Sequence, residues 1–117
     1  MKFVMLIYQG TTPLPGSDSW KALPEAEQKA IYADYASINK SPGVTPGLPM
    51  GLPSAARTVQ VGGGKTQVKN GPHLAEGVGG VFVYEAESME AAVALAARIP
   101  AARLGGAVEI RPAEQYW

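Results

Sequence analysis

Val68-Lys69-Asn70-Gly71-Pro72-His73-Leu74-Ala75-Glu76-Gly77-Val78-Gly79-Gly80-Val81-Phe82-Val83-Tyr84-Glu85 is the stretch around which the chain is organised. Asn70-Gly71-Pro72 reads as a chain reversal, because Asn and Gly tolerate positive φ and Pro arrives with its own φ fixed. Val81 to Tyr84 is an unbroken run of strand formers. Between turn and strand lies a glycine-rich loop that carries His73, the only histidine among the 117 residues.

Upstream, Arg57-Thr58-Val59-Gln60-Val61 alternates polar with apolar, Gly62-Gly63-Gly64 turns, and Lys65-Thr66-Gln67-Val68-Lys69 alternates again, the pattern of a β-hairpin. Gly64-Lys65-Thr66 resembles the end of a phosphate-binding loop, but that motif needs a glycine where Val59 stands and a helix after the Thr, so the hairpin turn is the better reading. Downstream, Ser88 is a good N-cap for an alanine-rich helix with Met89, Ala92, Val93, Ala96 and Ile99 on one stripe, ending at Pro100. Ala107 to Arg111 then reads as a strand with one apolar and one charged face.

At the other end, Lys2 to Tyr8 is a strand apolar on both faces, with Phe3, Met5 and Ile7 on one side and Val4, Leu6 and Tyr8 on the other. Such a strand belongs in the middle of a sheet covered on both faces. Gln9 to Lys21 reads as a loop holding one large apolar residue, Trp20, either a lid over a cleft or an anchor against the next helix. Pro24 to Lys40 is helical, with Pro at the first position, Glu25 and Glu27 in the first turn, and Ile31, Tyr35 and Ile38 on the inner face. Gln28, Asp34 and Ser37 read as its solvated face. Four prolines and three glycines between 42 and 54 exclude a regular central strand but leave room for an extended piece at a sheet edge. The order strand, helix, strands, strand, helix, strand is the split βαβ pattern of a ferredoxin-like α+β fold, in which an antiparallel sheet carries two helices on one face.

Length predicts a single domain over residues 1–117. Ten basic and ten acidic side chains cancel. No net field therefore favours nucleic acid or an anionic membrane, and neither is expected as a partner. The absence of cysteine removes thiolate chemistry, and a single histidine cannot build a zinc site, so no metal and no cofactor are expected. The apolar run at the start is too short to span a bilayer and lacks the features of a signal peptide, which predicts a cytoplasmic protein. Asn39-Lys40-Ser41 matches a glycosylation acceptor and, without a secretion signal, reads as coincidence.

Six segments in order, Lys2–Tyr8, Ala56–Val61, Asn70-Gly71-Pro72, Gly79–Val83, Ala96–Ala102 and Val108–Pro112, resemble the YCII-related family and within it the DGPF branch. The resemblance spans nearly the whole chain and implies a dimeric α+β barrel, two sheets packed face to face. Members of that branch read Asp-Gly-Pro-Phe, whereas this chain has Asn70-Gly71-Pro72-His73 and a shorter loop with Ala75-Glu76 before the glycines. A His–Asp pair proposed as catalytic in other branches does not carry over, since Gln9 to Lys40 holds Asp18 and Asp34 but no histidine. Relatives include dehydrochlorinases of aromatic degradation, and the fold serves muconolactone isomerases and small-ligand or heme enzymes; others are encoded beside sigma factors, which implies regulation.

A site is expected where the glycine-rich loop meets the open end of the sheet. His73 and Glu76 could act there as base and acid, against the reading of His73 as an exposed loop residue. Tyr8, Trp20, Tyr35 and Tyr84 could line a cleft for a small apolar or aromatic ligand, against the reading of core or dimer interface. Three classes stay open: a homodimeric ligand-binding or regulatory protein, a small-molecule isomerase or lyase acting on an aromatic-degradation-type substrate, and a structural interaction module. The missing His–Asp pair favours the first.

Overall fold

The computed structural model describes residues 1–48, 50–74 and 77–117. Its main sheet has four antiparallel strands, β1 (Lys2–Tyr8), β2 (Val44–Thr45), β5 (Val78–Glu85) and β6 (Ala107–Pro112), in the order β2-β5-β1-β6. β1 is central, pairing with β5 on one side and β6 on the other, as its doubly apolar sequence requires. The extended piece expected somewhere between 42 and 54 is the two-residue edge strand β2, with Thr45 opposite Val83. The arrangement is a mixed α+β fold compatible with the split βαβ order.

The helices are α1 (Asp18–Lys21), α2 (Glu25–Asn39), α3 (Met89–Ala96) and α4 (Pro100–Arg103). The core joins Phe3, Met5, Ile7 and Phe82 of the sheet to Ile38 of α2, Ala92 and Leu95 of α3, and Ala101 of α4. All helical partners therefore meet the odd-numbered face of β1. Its even-numbered side chains, Val4, Leu6 and Tyr8, are only half-buried and face the other way, as do their ladder partners Val83 and Val81.

Several local readings are corrected. The stretch Gln9 to Lys21 is not loop throughout: Ser17 caps the one-turn α1, its Oγ accepting from the Trp20 amide at 3.2 Å. In α3 the buried positions are Ala92, Leu95 and Ala96; Val93 falls just beyond the edge of that stripe and is 52% exposed, and Met89 is only partly covered. Pro100 does not merely end a helix but begins α4, where a missing N–H costs nothing. The polar side of α2 is also engaged. Gln28 Nε2 donates to the carbonyls of Trp20 (2.9 Å) and Leu23 (3.2 Å), Arg103 pairs with Asp34, and Arg98 Nη2 donates to Ser37 Oγ at 3.1 Å.

The hairpin, β3 (Arg57–Gly62) and β4 (Lys65–Asn70), forms a two-stranded sheet of its own. Gly62 pairs with Lys65, so the turn is the two residues Gly63 and Gly64, both at positive φ (57° and 75°) as a tight hairpin of natural twist demands. Alternation puts Val59, Val61 and Val68 on one face of this arm, all exposed. With this arm the radius of gyration reaches 16.0 Å, against about 13 Å for a compact chain of 100 residues.

Candidate functional site

At the end of the sheet where β1 leaves and β5 enters, the strands, α2 and two loops enclose a cleft of about 850 Å³. The ladder is irregular here: Ile7 faces Gly80 while Tyr8 faces Val78, so Gly79 is passed over. A Cβ on Gly79 would run into the Gln9 side chain, which means only glycine lets Gln9 fold across the strand into the cleft wall. The bulge thus converts an ordinary strand pair into a shaped opening.

The opposite wall comes from α2, where Ile31 and Tyr35 stand one turn apart with Tyr32 beside them. Trp20, only 7% exposed, closes that side by standing edge-on to Tyr32. Its placement follows from the capped α1 and from the Gln28 clamp on its carbonyl. Burial pushes the Tyr35 hydroxyl above its ordinary pKa, while the Ala101 backbone and the Arg103 guanidinium pull more weakly the other way. Thr12 Oγ1 is buried in the remaining wall with no hydrogen-bond partner among the described residues.

Of the residues singled out from sequence, Tyr8, Trp20, Tyr35 and His73 border this cleft together. Tyr84 does not: it lies opposite Phe3 and Val44 and packs against the core beneath the helices. His73 is exposed, in the bend after Gly71-Pro72. Glu76, paired with it above, lies outside the described residues. Tyr32, Gln9 and Thr12 were not visible from sequence. Tyr32 sits one position from the periodic stripe of α2, Gln9 depends on a bulge, and the burial of a threonine hydroxyl inside a loop has no sequence signature.

A split βαβ sandwich with a hairpin inserted before its third sheet strand and a largely apolar cleft at the sheet end defines the class: a small α+β domain. The chain belongs to the YCII-related family, whose domain profile matches residues 1–115. No curated protein matches it in sequence. Among the described residues no helix is long and apolar enough to cross a membrane.

Proposed function

We propose that this chain, a member of the DGPF branch of its family, is a cytoplasmic homodimer that binds a small apolar or aromatic molecule between Tyr8, Trp20 and Tyr35 and does no chemistry on it. The observation that carries the reading is the cleft itself. Its volume of about 850 Å³ lies within the roughly 300–1,000 Å³ of small-molecule sites, and its walls are chiefly aromatic and aliphatic. The homodimer is supported by the even-numbered face of β1 with Val81 and Val83, apolar and bare of described helices. A second copy packed face to face would bury it, because a self-complementary patch is covered by its own twofold mate.

A second reading is favoured by one observation, the position of His73 on the cleft wall. There it would serve with Glu76 in an isomerase or lyase. Incubation of any bound compound with the protein, followed by product analysis, separates the two: an unchanged compound supports binding alone, and turnover abolished by His73→Ala supports catalysis.

The binding claim is tested by fluorescence. Of the two tryptophans, Trp117 is fully exposed at the end of the chain, so Trp117→Phe leaves Trp20 as the only indole reporter. Titration with a panel of phenols and lactones is expected to change Trp20 emission saturably for at least one compound. An emission that stays constant across the panel would overturn the proposal.

A further inference from the structure

Resting on the reading of the chain as a homodimer, we infer that the β3–β4 hairpin is a dimerisation arm, whose valine face is seated on a second copy of this chain and extends the face-to-face sheet contact. The arm is built to be covered on one side. Across its ladder Arg57 faces Asn70, Val59 faces Val68 and Val61 faces Thr66, so the three valines share one face, while Thr58, Gln60, Lys65, Gln67 and Lys69 occupy the other. That division is the pattern of strands with one side packed and one side wet. Yet Val59, Val61 and Val68 are 59%, 69% and 62% exposed, and a two-stranded hairpin left alone in water is marginally stable.

The arm is pinned at its root, where the Gly71 amide donates to the Ala56 carbonyl and the Thr58 hydroxyl to the Gly71 carbonyl, both at 2.9 Å. Charge and area argue that a second copy covers it. From Arg57 to Asn70 the arm carries three basic residues, Arg57, Lys65 and Lys69, and no acidic one, which leaves seven basic against ten acidic side chains in the rest of the chain. A positive arm and a negative body attract each other between copies, so the chain itself supplies the complementary surface. The open sheet face is also small for a stable pair. At about 3.3 Å per residue and about 4.8 Å between strands, β1, β5 and β6 span a projected area of roughly 330 Å², and the arm adds roughly 190 Å². Stable interfaces take about 800 Å² of accessible surface from each partner, and the arm, adding over half as much again to the sheet face, brings the contact nearer that size.

Two measurements on the full chain test the inference. The triple variant Val59→Thr, Val61→Thr, Val68→Thr keeps side-chain shape and strand propensity while removing the apolar face. In sedimentation from nanomolar to high micromolar concentration it is expected to dimerise about tenfold more weakly than the natural chain, or worse. The chain has no cysteine, so Val61→Cys supplies a unique thiol on the same face. Its alkylation by iodoacetamide is expected to slow several-fold as concentration rises through the dimerisation range. A triple variant that pairs as tightly as the natural chain, or a thiol equally reactive in monomer and dimer, would overturn the inference and leave the sheet-face dimer standing. A natural chain that stays monomeric at high micromolar concentration would overturn both.

Discussion

Trp20 stands edge-on to Tyr32, with ring centroids 5.2 Å apart and planes inclined at 65°. This pair fastens the one-turn α1 to the side of α2, and the cleft opens beneath it. Edge-to-face aromatic contacts contribute about 0.5–1.5 kcal/mol beyond burial alone. Trp20→Ala should therefore destabilise the protein by about 3 kcal/mol, since it removes a nearly buried indole as well as the pair, and it should abolish ligand binding. Tyr32→Ala should cost only about 1 kcal/mol because Tyr32 is half-exposed, and Tyr32→Phe should cost almost nothing. Urea denaturation of the three variants checks the order.

The dimer can be separated from the fold by one substitution. Val4 lies on the face away from the helices and directly opposite Arg111 on β6. Val4→Glu introduces a charge that Arg111 can pair across the ladder within one chain, yet that a second sheet could bury only at high cost. Light scattering should report a dimer of the 12.2 kDa chain for the natural sequence and a folded monomer for the variant. A natural protein that is monomeric at micromolar concentration would refute the face-to-face pairing.

His73→Ala should change stability by no more than about 0.5 kcal/mol, as expected of an exposed bend residue. On the binding-only reading, affinity for a neutral ligand should vary little across neutral pH, roughly between pH 6 and 8, and the variant should show the same flat profile. A pH-dependent affinity that His73→Ala flattens would place the imidazole in contact with the ligand.

Tyr35 supplies a signal at high pH. Its folded-state pKa is raised by burial, so the native state holds the phenolic proton longer than the unfolded chain does. The stability this confers is fully present below the ordinary tyrosine value of 10.0 and is lost as pH rises through the higher folded value. Unfolding free energy should fall with alkaline pH, and less steeply in Tyr35→Phe. Equal slopes would show that the hydroxyl is as well solvated folded as unfolded.

Much of the fold was legible because its signals are local and periodic. The double-faced apolar β1, the helix Glu25–Asn39 starting just after Pro24, and the Val81–Tyr84 run each specify themselves. What escaped was set by packing between distant segments. Nothing in Gly79 announces a bulge until Gln9 is seen to occupy the space of its missing side chain. The four aromatics chosen for the cleft illustrate the same limit: Tyr8, Trp20 and Tyr35 border it, but Tyr84 alternates to the helix-covered face because the register sets it opposite Phe3. Alternation in the hairpin marked strands correctly without revealing that they stand apart from the main sheet.

The central claim, a ligand site at the end of the sheet, is tested most directly by crystallography of the protein soaked with neutral phenols and lactones. The account predicts density for a flat molecule inside the cleft, between Trp20 and Tyr35. Density confined to other surfaces, or a cleft left without bound compound throughout a panel at millimolar concentration, would contradict it.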